Sequence, residues 1–248
     1  QATVWSQPTV LYSDPGVLDA DPAMAVDGDG RLHVLWSSAR QELVHVRSQG
    51  EGWTLASASR KAETGERLNY PALMYAADGR MYLAWSGGSD GRLLSAQAYP
   101  RDAGSTAGWS EARPVDLRAA GGWPAWAVMP QGGLVMVYSV ALNEGRGIYA
   151  VRAETPGGTW SEPVRLDDGS GAPMLRDSRV VNVGETLYAV WVRAGLPPDS
   201  ISQGVYFSTS PDGGVTWTQS QAVGVAGADA PQLLLTEDAL PQIGRAHV

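Results

Sequence analysis

A strand–turn–strand unit closed by an aromatic residue recurs four times in this 248-residue chain, and that recurrence restricts the fold more than any other feature. The first copy runs from Asp21-Pro22-Ala23-Met24-Ala25-Val26 through the turn Asp27-Gly28-Asp29-Gly30 to Arg31-Leu32-His33-Val34-Leu35-Trp36. The others begin at Tyr70-Pro71, Trp123-Pro124 and Arg176-Asp177 and close on Trp85, Tyr138 and Trp191. Counted from Pro22, Pro71, Pro124 and Asp177, the closing aromatic falls fourteen residues later each time, and successive aromatics lie 49, 53 and 53 residues apart. A third strand follows in each unit (Leu43 to Ser48, Leu93 to Ala98, Ile148 to Arg152, Val205 to Ser210), and a fourth opens on a tryptophan followed by serine or threonine. A period near 50 with four short strands per unit predicts a β-propeller of four-stranded antiparallel blades. The blade starts fall near 20, 69, 122, 175 and 229 of a partial propeller domain, 1–241, with four whole blades and two partial ones.

The fourth-strand tryptophans are Trp5, Trp53, Trp109, Trp160 and Trp217. Because Trp5 already belongs to such a strand, the chain is expected to begin on the last strand of a blade. The final seven residues, 242–248, match nothing in the repeat. They look like an in-frame translation of a sequencing adapter and are set aside as one sets aside a tag. An arc of this kind is expected to leave blade edges unpaired, and the complete ring is expected to be six-bladed and monomeric.

Thirty glycines, sixteen prolines and ten tryptophans against one phenylalanine fit a turn-rich, tryptophan-pinned chain. The net charge of −8 without a basic cluster argues against nucleic acid as a partner. No cysteine is present, so there is no disulfide frame and no cysteine-based metal site. No apolar run approaches the roughly 20 residues of a membrane span, and no cofactor or metal is expected.

One stretch carries a family resemblance. Val205-Tyr206-Phe207-Ser208-Thr209 reads as a strand, Ser210-Pro211-Asp212-Gly213-Gly214 as a tight turn, and Thr216-Trp217-Thr218 as the returning strand. The pattern of Ser210, Asp212, Gly214, Thr216 and Trp217 resembles the Asp-box, or BNR repeat, of the sialidase superfamily of β-propellers. Decayed copies lie at Ser48 to Trp53 and Glu154 to Trp160. The resemblance implies that Asp212 is a structural turn residue. It also implies glycans as partners and an extracellular or cell-surface bacterial setting. Family enzymes hold a substrate carboxylate with three arginines and use a glutamate-activated tyrosine as nucleophile and an aspartate as acid/base. One of those arginines stands two residues before the proline of an Arg-Ile-Pro motif. The corresponding slots here hold Ala20, Asn69, Gly122 and Asp229, none of them arginine.

Other polar residues read as structural. The Asp27–Gly30 turn lacks the ligand series of a calcium loop. His33 and His45 lie in strands with no histidine or carboxylate partner at ligand spacing, and Tyr206 reads as packing. One unit breaks its pattern: the column two past the proline slot holds Met24, Leu73, Trp126 and Leu233, but Arg179 in the fourth copy. A charge there needs a partner, and Asp177, two residues earlier, shares its strand face.

In a propeller the first strand of each blade is innermost. Asp21, Tyr70, Trp123 and Arg176 are therefore expected to ring the mouth of the axial channel, with Asn69, Asp177 and Arg179 close by. Aromatic faces beside a few charged or amide groups suit a sugar. The chain is expected to be a glycan-recognising module. The alternatives are an exo-sialidase whose catalytic residues lie partly beyond this stretch, and a structural or protein-interaction propeller.

Overall fold

The computed structural model describes residues 7–13, 22–62, 66, 68–116, 120–142, 145–198, 200–224, 226–235 and 241–245. It is all-β, apart from two single-turn 3₁₀ helices at Pro100–Asp102 and Thr106–Gly108. Antiparallel sheets follow one another along the chain as an arc of propeller blades. The first blade pairs Ala23–Val26, Leu32–Ser37 and Glu42–Gln49 with the outer strand Ser57–Lys61. The second pairs Asn69–Tyr75, Met81–Gly87, Arg92–Ala98 and Arg113–Pro114. The third pairs Gly122–Val128, Leu134–Val140, Gly147–Ala153 and Val164–Asp167. Met174–Val183, Thr186–Ala194, Ser202–Ser210 and Gln221–Ala222 make the fourth, and Pro231–Leu235 with Pro241–Arg245 a final hairpin. The first strands of successive blades lie against one another in chain order. Among the described residues no helix is long and apolar enough to cross a membrane.

The core lies in the seams between blades. One cluster joins Leu35 and Leu43 of the first blade to Leu73, Leu83 and Trp85 of the second. Another joins Val137 and Ile148 of the third to Leu175, Leu187 and Trp191 of the fourth. A blade packed on both faces needs second strands that are apolar throughout, rather than alternating. Met81–Gly87 and Leu134–Val140 are buried at every position.

The tryptophan–serine/threonine pair has a physical cause. The backbone N–H of Thr54, Ser110, Ser161 and Thr218 donates to the carbonyl of Arg47, Gln97, Arg152 and Thr209, at 2.8–2.9 Å. The hydroxyl of the same residue accepts from the N–H of that same partner: Arg47 to Thr54 at 2.9 Å, Gln97 to Ser110 at 3.2 Å, Arg152 to Ser161 at 3.1 Å, Thr209 to Thr218 at 3.0 Å. The hydroxyl stands in for a backbone carbonyl, so one residue makes a two-point clamp where no full ladder forms. The expected outer strand at the tryptophan forms in the first blade as Gly52–Trp53, paired with Ser48 and Gln49; at Trp160 and Trp217 it reduces to the clamp, and at Trp109 to the clamp and a single bridge to Ala98. The paired stretches, where present, come later, as at Arg113–Pro114 and Val164–Asp167.

Seven residues after each of four outer tryptophans stands the group that caps the closing aromatic of the following blade. Tyr12 packs its ring 5.5 Å from Trp36. Arg60 lies 4.6 Å over the Trp85 ring. Asp116 accepts the Tyr138 hydroxyl at 2.6 Å, and Asp167 accepts Trp191 Nε1 at 2.6 Å. Asp167 also takes Arg193 in a fork, Nε at 2.9 Å and Nη2 at 2.8 Å. Asp167 is fully buried at its side chain, and removing one member of such a pair leaves the others unsatisfied. Asp167→Ala is expected to cost about 3 kcal/mol of folding stability, read as a shift in urea midpoint at constant slope. A loss below about 1 kcal/mol would show that Asp167 is no seam lock.

Candidate functional site

The innermost strands of the second, third and fourth blades start with the same kink. The register skips between Asn69 and Ala72, between Gly122 and Ala125, and between Arg176 and Arg179. Within each skip one non-glycine residue is left-handed: Tyr70 at φ 51°, Trp123 at 47° and Asp177 at 55°, joined in the fifth unit by Ala230 at 45°. L-residues avoid this region, so its fourfold recurrence marks a built feature.

The kinks correct the alignment of the fourth blade. Ala23, Ala72, Ala125 and Arg179 all pair with the residue just before the closing aromatic, namely Leu35, Ala84, Val137 and Val190. Arg179 therefore belongs to the alanine column. The apolar column continues unbroken through buried Val180, opposite Ala189. Asp177 matches Tyr70 and Trp123, and Arg176 matches Asn69, Gly122 and Asp229. The slot two before the proline, read from sequence as lacking arginine, holds Arg176. The cause is the hairpin Val183–Thr186, closed by two residues where the hairpins Tyr75–Met81 and Val128–Leu134 are closed by five. The path from kink to closing aromatic is thereby one residue shorter.

The kink also breaks side-chain alternation, so the expected pairing of Arg179 with Asp177 on a shared face does not form. Asp177 instead pairs with Arg176 next to it. Arg176 grips Asp229 at the fifth inner strand through both nitrogens, Nη1–Oδ1 at 2.8 Å and Nη2–Oδ2 at 2.9 Å, and donates to the Ser200 carbonyl at 3.2 Å. Burial tends to lower the Arg176 pKa, but the Asp229 and Asp177 carboxylates outweigh it and raise it. Burial raises the Asp177 pKa, against the pull of Arg176. Asp177 is 16% exposed at its side chain and Asp229 47%, so the two carboxylates on one guanidinium have unlike environments. Arg179 donates to the Ser178 carbonyl at 2.9 Å.

Beside this cluster the Tyr70 and Trp123 rings pack with centroids 4.1 Å apart. Trp123 is tied to the fourth blade, since the Ser178 hydroxyl donates to its carbonyl. Its ring packs against the cluster holding Met174, Val190 and Val192. Asn69 pairs with Ser86 at the strand start. Asp21 lies outside the described residues. The structure thus brings together Tyr70 with Trp123, and Arg176 with Asp177 and Asp229.

The Ser210–Trp217 turn is held by its own side chains. Asp212 accepts from the Ser210 hydroxyl at 2.8 Å, the Thr216 N–H at 2.9 Å and the Thr216 hydroxyl at 2.6 Å. Thr216 foremost holds the Asp212 pKa down to about 2. Gly213 and Gly214 supply φ of 68° and 89°. The returning strand expected at Thr216–Thr218 reduces to the Thr218 clamp, and ladder pairing resumes only at Gln221–Ala222.

Sequence reasoning also missed a buried polar chain. His33 Nδ1 lies 2.9 Å from His45 Nε2, and His33 Nε2 lies 3.1 Å from Asp27 Oδ2. The histidines are 0% and 3% exposed. With Asp27 as acceptor, His33 donates from Nε2 and accepts at Nδ1 from His45. Asp27 is fixed in turn by the N–H groups of Asp29 and Arg31, each at 2.9 Å. Because Leu35 faces His45 and His33 faces Arg47, the two rings meet diagonally across strands. No metal-binding group of three ligands exists among the described residues, so this chain is a hydrogen-bond relay within the blade. Burial, with His33 and Arg47 nearby, pushes the His45 pKa down to about 3, and burial also lowers that of His33.

The chain belongs to the BNR repeat-containing family, whose model matches residues 20–242. Among solved structures it is similar to a protein of unknown function from Dyadobacter fermentans, at 17% identity over 92% of this chain and 75% of that one, TM-score 0.69. An α-L-arabinofuranosidase from Lactobacillus brevis matches at 13% identity over 89% and 80% of the two chains, TM-score 0.62. An endo-arabinase from Bacteroides thetaiotaomicron matches at 15% over 92% and 94%, TM-score 0.60. At these identities the likeness is one of fold. No curated protein matches the sequence.

The His45 shift has a definite sign. Its folded pKa, about 3, lies below the unfolded value of 6.5, so the unfolded chain binds the extra proton. Stability is fully present above about pH 6.5 and falls toward pH 3 by up to about 1.4 kcal/mol per pH unit. His33 acts in the same direction. Urea titrations between pH 7.5 and 4.5 should show this slope in the native protein and a shallower one in His45→Gln. Equal slopes would remove His45 as its source.

Proposed function

We propose that this protein recognises glycans, as an extracellular or cell-surface module, with the sugar seated where the inner strands begin. The observation that carries the reading is the Tyr70–Trp123 ring pair beside the Arg176–Asp177–Asp229 cluster. Aromatic rings offer a face to sugar C–H groups, and fixed charges orient the hydroxyls. The fold likeness to an arabinofuranosidase and an arabinanase supports a carbohydrate ligand. Arg176, at the slot of the Arg-Ile-Pro arginine, supports the finer assignment to the acidic sugars of the sialidase superfamily. Asp229, the more exposed of its two partners, is the one such a sugar would displace.

A second reading, glycoside hydrolysis, is favoured by the two carboxylates. Burial raises the Asp177 pKa against the pull of Arg176, while Asp229 is open to water. Unlike environments of this kind separate an acid from a base or nucleophile.

Trp123→Ala should weaken glycan binding about tenfold in calorimetry while the native far-ultraviolet spectrum is kept; unchanged affinity overturns the proposed seat. Asp177→Asn should leave binding within about threefold and abolish any release of aryl leaving groups from aryl glycosides. Hydrolysis that survives in Asp177→Asn removes the second reading.

A further inference from the structure

A cavity of about 540 Å³ opens between the second and third blades, away from the inner-strand starts. Its volume is that of a small-molecule site, for which about 300–1,000 Å³ is usual. The cavity exists because the outer strand of the second blade is only Arg113–Pro114, and proline cannot extend a ladder. The third blade's turn reaches across the gap. Gly157, at φ 74°, stands so near the second blade that a Cβ there would lie 2.9 Å from Gln97 Oε1 and 3.6 Å from the Tyr82 hydroxyl.

Two aromatic rings in the lining are fixed by their own contacts. Trp160 packs 5.8 Å from Trp126, and the Tyr82 hydroxyl donates to Asp78 at 2.6 Å. The polar groups are open. The Gln97 amide, the Arg113 guanidinium and the Thr159 hydroxyl line the cavity and make no side-chain hydrogen bond or ion pair among the described residues. Rigid rings with a free amide, guanidinium and hydroxyl match the alternating C–H faces and hydroxyls of a sugar. Glu162 and Asp116 stand with Arg113 in the same lining, so the site carries no excess positive charge to demand an acidic ligand. A peptide strand would need a free edge. The backbone N–H and carbonyl of Gln97 are already taken by the Ser110 clamp.

We infer that this seam cavity is a second carbohydrate site, taking a neutral sugar unit held by Trp160, Gln97 and Arg113. It is independent of the inner-strand seat. The test is calorimetric titration of the native protein with cellotriose, xylotriose and arabinotriose. At least one trisaccharide should bind, and Gln97→Leu should weaken that seam isotherm about fivefold. Ser95→Phe, which fills the cavity from a lining position, should abolish it. Melting temperature and far-ultraviolet spectrum report the fold of each variant, and Gln97→Leu serves alone where Ser95→Phe does not fold. The seam isotherm should persist in Trp123→Ala, so failure of the inner-strand reading leaves this one standing. Failure of all three trisaccharides to bind overturns the seam site. So does binding that only Trp123→Ala removes, or binding that Gln97→Leu leaves unchanged.

Discussion

A sheet buries a face only against another element, and this chain buries both faces of its second strands by stacking blade on blade. The stacking is organised at the kinked start of the inner strands. A left-handed non-glycine residue costs about 1–2 kcal/mol, and such strain survives where the surroundings over-determine it. Glycine would remove that cost, yet three of the four left-handed slots hold Tyr70, Trp123 and Asp177. Each uses its side chain: the two rings meet across blades, and the carboxylate meets Arg176. The conformation that kinks the strand is also what presents those groups at one end of the arc.

The seams tolerate varied chemistry at one geometric position. Tyr12 and Arg60 cap their closing aromatics by ring packing and cation–π contact, and Asp116 and Asp167 cap theirs by a hydrogen bond. The Arg60 solution has a cost, because Trp85 Nε1 is buried there without an acceptor. Burial lowers the Arg60 pKa, which marks the same desolvation from the other side. The Asp167 solution satisfies both the indole N–H and Arg193. The shared requirement is a group on the preceding blade that contacts the ring across the seam, and several side chains meet it.

The blades were legible because the closing aromatics and the tryptophan clamps repeat in the linear sequence. The site was legible only in part. A fixed count of fourteen residues assumes equal hairpins, and the two-residue turn at Gly184–Glu185 breaks that assumption in the fourth blade alone. One residue of slip moved Arg179 into an apolar column and concealed Arg176 in the arginine slot. Asp229 was passed over because its partner lies 53 residues earlier. The His33–His45 contact depends on strand register, which spacing along one strand does not reveal. The seven-residue interval from outer tryptophan to seam cap was present in the sequence and would have pointed to Asp116 and Asp167.

The uneven decay of the turns between third and fourth strands follows from what each turn must do. Gly50, Gly157 and Gly213 are all left-handed, at φ 59°, 74° and 68°. The reversal therefore needs a glycine and does not need a carboxylate. Asp212 ties its own turn by accepting from the Thr216 N–H and hydroxyl, and Gly213 there lies beside Met129 of the third blade. The Gly157 turn lies closer still to the second blade, where a Cβ would stand 2.9 Å from Gln97 Oε1. What the geometry requires there is smallness. A turn without side chains on that face leaves the Gln97 amide uncovered beside the seam cavity.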